Sequence, residues 1–189
     1  MLILACYNVV DSYFVAQISE NAVTALSLAF PIQNLLMAVS LGLAVGVNAL
    51  LARFLGQKQQ DMVNRVAMQG LLLAAIGYVL FLLLGAFGME VYMRNQTDIA
   101  EIAAYGTDYL RICLMVSIGV FIQVTFERIL QATGRTLCTM MTQGFGALLN
   151  IVLDPIFIFT LNFGVSGAAI ATVISQCMGA LVAFLVNKK

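Results

Sequence analysis

Six long hydrophobic segments, separated by short polar stretches, account for almost the whole chain. Their approximate limits are residues 1–18, 22–51, 66–89, 103–126, 137–161 and 165–186. A helix needs about 20 apolar residues to cross the roughly 30 Å hydrocarbon core of a bilayer. The first segment is marginal by that measure, so we expect the chain to begin inside a longer helix. The pattern predicts an all-α integral membrane protein with six transmembrane helices.

The composition supports a membrane protein and argues against several other classes. The chain of 189 residues is 62% hydrophobic and 10% charged, with a mean hydropathy of +0.99, whereas soluble domains have about 45–50% apolar and about 25% charged residues. Nine basic and nine acidic residues cancel and do not cluster, which gives no support for nucleic-acid binding. The sequence has no histidine, which excludes imidazole chemistry. Its four cysteines are widely spaced, without a zinc or CxxC pattern.

Lysine and arginine are distributed unevenly between the two sides of the predicted bundle. The connections after the second, fourth and sixth segments contain seven basic residues: Arg53, Lys58, Arg65, Arg128, Arg135, Lys188 and Lys189. The other connections, with the adjoining helix ends, contain only Arg94 and Arg111. The positive-inside rule therefore predicts a multi-pass protein of the cell (inner or plasma) membrane with both termini in the cytoplasm. We interpret the charges at the segment ends, including Glu127, as solvated.

Two carboxylates lie within hydrophobic segments and do not fit that interpretation. Asp11 is in the first segment, and Asp154 is in the fifth, directly before Pro155. A carboxylate at the bilayer centre costs at least about 2.5–3.5 kcal/mol, so such residues usually face the interior of a bundle and mark a pathway. Pro155 has no N–H group and leaves the carbonyl of Ile151 without its helical donor, which predicts a helix kink. The alternative is a purely structural hydrogen bond between helices.

The two carboxylates and Thr172 are each seven residues from the external end of their segment. At 1.5 Å per residue, all three are expected about 10 Å below the external boundary. Asn150 precedes Asp154 by four residues and therefore lies on the same helix face. This oxygen-rich set suits a hard cation or a shared proton. Tyr7 and Tyr109 are expected nearby, either bonded to the carboxylates or simply anchored in the bundle.

Three stretches of the sequence resemble the multidrug and toxic compound extrusion (MATE) transporters. They are YNVVDSYFV at residues 7–15, LQATGRT at 130–136, and LLNIVLDPIFIF at 148–159 continuing into GVSGAAIATVISQ at 164–176. The resemblance covers the chain but only the N-terminal half of the family. It implies one six-helix lobe, residues 1–189, of a twelve-helix, two-lobe antiporter that exports drugs or toxic organic compounds, often cationic, in exchange for Na⁺ or H⁺.

The resemblance also implies the site residues and the partners. Carried over residue by residue, the cation site of the lobe consists of Asp11, Asn150, Asp154 and Thr172, with Tyr7 and Tyr109 as possible neighbours and Pro155 as the helix kink. The chain would be a transporter rather than an enzyme, with no cofactor apart from the coupling ion. Its partners would be the bilayer, the organic substrate and the C-terminal lobe. We expect the sequence to be a fragment rather than a lobe that pairs with another chain.

Two other membrane-protein classes compete with this interpretation. Lipid-linked oligosaccharide flippases share the two-lobe architecture, but they generally line their cavity with basic residues. Six-helix lipid-synthesis enzymes, such as CDP-alcohol phosphotransferases, need an aspartate-rich metal motif at a cytoplasmic helix end. The two aspartates here are on separate segments and toward the outside. The sequence distinguishes neither Na⁺ from H⁺ nor one substrate from another.

The predicted topology can be tested by labelling single cysteines in a cysteine-free background. Cysteines at Asn21, Gln96 and Asn162 are expected to react with an impermeant maleimide added to intact cells, because these positions lie in external connections. A cysteine at Gln59 is expected to react only after permeabilisation. The reverse labelling pattern would contradict the orientation.

Overall fold

The hydrophobic segments form helices because a bilayer offers no water to backbone N–H and C=O groups, which must therefore bond within the protein. A computed structural model describes residues 13–187, which are helical at 13–16 and then in seven α-helices. We number these α1 (Glu20–Gly56), α2 (Gln60–Phe87), α3 (Met89–Gln96), α4 (Ala100–Met115), α5 (Ile118–Ala132), α6 (Thr136–Pro155) and α7 (Gly164–Asn187). A π-helical turn, Ile156–Thr160, directly follows α6. The described residues contain no β-strand.

Four helices are long and apolar enough to cross a membrane: α1, α2, α7, and α6 together with its π-helical turn. The pair α4 and α5 gives a fifth crossing if it is counted as one bent span. Most of the predicted first span lies outside the described residues. The protein is thus an all-helical membrane protein.

The predicted fourth span is bent rather than straight. Its axis turns by 48° between α4 and α5, at residues 116 and 117. The hydroxyl of Ser117 donates to the carbonyl of Leu114 (2.8 Å), and the hydroxyl of Tyr78 on α2 donates to the carbonyl of Met115 (3.2 Å). The Leu114 carbonyl also accepts a hydrogen bond from the amide of Ser117 (3.3 Å), and the Tyr78 hydroxyl provides a side-chain donor to the Met115 carbonyl at the break, as an apolar setting requires.

The ends of the helices differ from the predicted limits of the hydrophobic segments in two further places. α1 has 37 residues and is about 55 Å long at 1.5 Å per residue, so it extends well beyond a hydrocarbon core. It begins where the hydroxyl of Ser19 accepts a hydrogen bond from the amide of Ala22 (3.1 Å), an ordinary N-cap. The polar stretch predicted as a plain connection after the third segment contains the short helix α3.

The outward faces of the helices are apolar, as expected for contact with lipid. On α2, the exposed side chains repeat about once per turn and include Met68, Leu72, Ile76, Leu80 and Leu83. The inward face of the same helix carries small residues, with Gly70, Ala74, Gly77 and Gly85 buried. Small residues on the inward face allow helix backbones to approach closely, which is the usual mode of helix association in membranes.

α7 is the helix around which the second half of the bundle packs. It contacts α4, α5, α6 and the π-helical turn. A Cβ atom on Gly167 would lie 2.6 Å from the carbonyl oxygen of Phe157, and one on Gly179 would lie 2.8 Å from Oε1 of Gln123. Glycine at position 167 therefore permits the first turns of α7 to lie directly against the π-helical turn.

This close approach predicts different effects for two glycine substitutions. Gly167→Ala should destabilise the protein by about 1–3 kcal/mol, because the clashing atom belongs to the backbone and cannot rotate away. Gly46→Ala on α1 is the control, since a Cβ there has nothing within 4 Å and alanine favours a helix by up to about 1 kcal/mol. Thermal unfolding followed by circular dichroism in detergent measures both. A Gly167→Ala variant as stable as the Gly46→Ala variant would contradict the packing argument.

Candidate functional site

Three of the predicted site residues meet in the interior between α6 and α7. Nδ2 of Asn150 donates to Oδ1 of Asp154 (3.1 Å) and to Oγ1 of Thr172 (3.4 Å). Asn150 and Asp154 are 0% exposed and Thr172 is 3% exposed. We call these three residues the α6–α7 cluster. It joins two helices through polar groups that are fully removed from the surface.

The local sequence explains how the α6–α7 cluster forms. Four residues separate Asn150 from Asp154, so both side chains project from one face of α6. After Pro155 the chain continues as a π-helical turn, a feature found frequently at functional sites. Positive φ angles at Asn162 (53°) and Gly164 (55°) then reverse the chain. The short reversal brings Thr172 on α7 back beside Asn150 of α6.

The α6–α7 cluster has the donor atoms that a hard cation prefers. Carboxylate, amide and hydroxyl oxygens all come from its three side chains, and oxygen is the usual ligand of such ions. Oδ1 of Asn150 is buried and accepts no hydrogen bond from the described residues. An uncompensated buried acceptor costs about 1–3 kcal/mol, and a bound cation would remove that cost. The cluster therefore fits a cation or a proton held by Asp154.

Of the other predicted site residues in the cation cluster and beside it, the structure describes only Tyr109. Asp11 and Tyr7 lie outside the described residues. Tyr109 is buried on α4, where its hydroxyl accepts a hydrogen bond from Nε2 of Gln33 on α1 (2.8 Å). This bond connects α1 to α4 and does not by itself bring Tyr109 to the α6–α7 cluster.

One buried carboxylate was assigned wrongly from the sequence. Glu127 was expected to be solvated at the end of the fourth span, but α5 continues beyond it and the residue is only 4% exposed. Its carboxylate accepts hydrogen bonds from Nε2 of Gln123 (3.0 Å), Oγ1 of Thr142 (3.3 Å) and Nε2 of Gln143 (2.8 Å). The available sequence signal was Gln123, four residues earlier on the same helix face. We call Glu127 and its three donors the Glu127 cluster.

A cavity of about 110 Å³ extends from Glu127 to Thr172. It lies mainly between α5, α6 and α7, with Met37 and Leu41 of α1 on one side. Glu127 is the sole charged side chain among the described residues that line it. The cavity thus joins the Glu127 cluster to one ligand of the α6–α7 cluster.

Comparison with known proteins shows which family shares this architecture. A model of the MatE family matches residues 1–156. The multidrug export protein MepA of Staphylococcus aureus is 27% identical over 184 residues, which are 95% of this chain and 40% of MepA. The chain therefore spans well under half the length of the curated relatives it matches.

Solved structures agree with the sequence comparison. An inward-facing multidrug resistance MATE family transporter of the MOP superfamily superposes with a TM-score of 0.92 and 30% identity, over 95% of this chain and 41% of its own. A MOP superfamily transporter from Pyrococcus furiosus superposes with a TM-score of 0.93 and 30% identity, over 98% and 41%. The latter is described as having a binding pocket of reverse polarity that suggests a different function.

Proposed function

The chain belongs to the MatE family, and from this premise we propose that it forms the N-terminal, six-helix lobe of a cation-coupled exporter of organic compounds. The observation that carries the proposal is the buried α6–α7 cluster. A transporter needs a site whose occupancy favours one conformation over another. Buried oxygen ligands on two helices provide such a site, because the most stable arrangement of the ligands depends on whether an ion or a proton is bound.

The proposed coupling site consists of Asp11, Asn150, Asp154 and Thr172. In this proposal Asp11 on the first segment completes the α6–α7 cluster with a second carboxylate. Two carboxylates in a poorly hydrated pocket repel each other, and a proton or Na⁺ relieves that repulsion. One charge moved across 100 mV gains about 2.3 kcal/mol, a bias of about fiftyfold between two conformations. Either ion would be sufficient to drive the exchange, in which the chain acts as a transporter and not as an enzyme.

The charge of the cavity favours export of cations over lipid-linked anions. Among the described residues its lining contains Glu127 and no lysine or arginine. A flippase for lipid-linked oligosaccharides has to hold a phosphate group, for which basic side chains are the usual partners. The acidic lining therefore supports an organic cation as the substrate. We keep the flippase as the second candidate, because one relative of this fold is described as having a pocket of reverse polarity.

A second lobe is part of the proposal. The matched relatives are about two and a half times as long as this chain, which covers 40% of MepA. Transporters built from parallel repeats bind their substrates between the repeats. We propose that a further lobe, in the same polypeptide or in another chain, encloses the substrate against this one in the cell membrane, with both termini of the present lobe in the cytoplasm.

Neutralising the coupling site should uncouple transport without unfolding the protein. In the transporter with both lobes, Asp154→Asn and Asp11→Asn should each lower ion-driven efflux at least about tenfold, because the occupancy of the site no longer alters its charge. Thr172→Ala should have a milder effect, since it removes one neutral ligand. Efflux of ethidium from proteoliposomes under an imposed Na⁺ or pH gradient measures all three.

The control for these variants is Asp98→Asn, which makes the same chemical change at an exposed position and should leave efflux unaltered. Normal efflux in both Asp154→Asn and Asp11→Asn, with unchanged Na⁺ and pH dependence, would reduce the α6–α7 cluster to a structural hydrogen bond.

The need for a second lobe gives a separate prediction. Expressed alone, the chain should insert into the membrane but confer no drug resistance, because nothing closes the substrate cavity on its far side. Membrane fractionation and growth in ethidium or norfloxacin measure insertion and export. Robust efflux by the chain, with no other membrane protein co-purifying with it, would contradict the two-lobe proposal.

A further inference from the structure

We propose that Glu127 is the counter-ion of a subsite that binds the ammonium group of an organic cation, separate from the coupling-ion site. The subsite is the part of the 110 Å³ cavity next to the Glu127 cluster. The inference rests on the proposed export function and adds the position at which the positive charge of the substrate is held. Three observations support it: the charge balance of Glu127, its hydrogen-bond partners, and the dimensions of the cavity.

Glu127 is a buried acid that forms no ion pair with another described residue. Between described residues the structure contains one ion pair, Glu90 with Arg94, and it lies on α3. Arg128 follows Glu127 in the chain, but its Nη1 atom donates to Oε1 of Gln131 (2.6 Å). Burying an anion without a partner charge is costly. The site is therefore suited to receive a positive charge from outside the chain.

The hydrogen-bond partners of Glu127 hold it in place and leave room for a further donor. A carboxylate offers about four acceptor positions, and the amides of Gln123 and Gln143 use two of them. The single hydroxyl proton of Thr142 is divided between Glu127 (3.3 Å) and the carbonyl of Thr139 (2.8 Å). The two glutamines also carry amide oxygens, which can accept hydrogen bonds. An ammonium group has three N–H donors to distribute. The cluster thus presents a fixed carboxylate with neutral acceptors beside it, all on α5 and α6.

The dimensions of the cavity fit a cationic group rather than a whole drug. Pockets for drug-sized ligands have volumes of about 300–1,000 Å³, whereas this one has about 110 Å³. Its walls include the apolar residues Met37, Leu41 and Val124, which limit the access of water to the carboxylate. Gln143 and Gln176 are half-buried, so the cavity is open on one side. An ammonium group can enter while the rest of the molecule remains outside the cavity.

The subsite can be tested with two probes that differ in one charge. Monodansylcadaverine carries a primary ammonium group, and its N-acetyl derivative has the same dye and chain but is neutral. Binding of each to the full chain in lipid nanodiscs is measured by dansyl fluorescence at neutral pH. We expect the wild-type protein to prefer the charged probe, and Glu127→Gln to bind it about tenfold or more weakly, because a charge-assisted contact is lost. Binding of the neutral probe should not change.

Three further variants make the outcome specific. Glu90→Gln alters an exposed carboxylate and should leave both affinities unchanged. Ala147→Leu should fill the cavity and weaken the binding of the charged probe with Glu127 still present, which provides a test even where Glu127→Gln does not fold. Asp154→Asn should lose less of the preference for the charged probe than Glu127→Gln does, which separates this subsite from the coupling site.

Two results would overturn the proposal. If the wild-type protein binds both probes equally, or if Glu127→Gln binds the charged probe as tightly as the wild-type protein does, Glu127 has no role in amine binding. If the preference disappears in Asp154→Asn but persists in Glu127→Gln and Ala147→Leu, the amine binds at the coupling site instead. If the transport assay shows no ion-driven efflux, by contrast, the proposed coupling mechanism is contradicted. The probe affinities still test the subsite, because they are measured without transport.

Discussion

A polar group inside a bilayer has no water to bond, and this constraint organises the whole structure. Most of the helix surface is apolar and can face lipid in any rotation, so apolar residues alone do not decide how the helices are arranged. Some of the internal polar residues help to decide it, because their hydrogen-bond partners lie on other helices. Tyr109 and Gln33 connect α4 to α1, Asn150 and Thr172 connect α6 to α7, and Glu127 connects α5 to α6.

The two polar clusters share one helix, α6, at different depths. Gln143, which donates to Glu127, precedes Asn150 by seven residues on α6, or about 10 Å along the helix axis. Two turns apart, the two side chains lie on nearly the same face of the helix. Both clusters also contact the one cavity, through Glu127 and Thr172. A movement of α6 relative to both α5 and α7 would therefore alter the two clusters together, which is the kind of physical connection that coupling between two ligands requires.

The structural features that depend on helical periodicity could be predicted from the sequence, whereas those that depend on tertiary contacts could not. The spacing of Asn150 and Asp154 defines a common helix face in any straight helix, so their proximity could be predicted. The burial of Glu127 could not, since a Glu–Arg pair beside a basic connection is typical of a solvated helix end. Its true environment arises because α5 continues to Ala132 and α6 folds back alongside it. The bend at residues 116–117 was equally hidden, because no proline marks it.

The π-helical turn at Ile156–Thr160 has a consequence for how this part of the chain tolerates insertion and deletion. A π-helical turn holds one residue more than the α-helical turn it replaces. Loss of one residue would convert it into a regular turn and rotate everything beyond it by about 100° relative to α6. The chain reversal would then point α7 away from Asn150, and Gly167 would no longer meet Phe157. An apolar substitution in this turn leaves the register of α7 unchanged, whereas a change in the length of the turn does not.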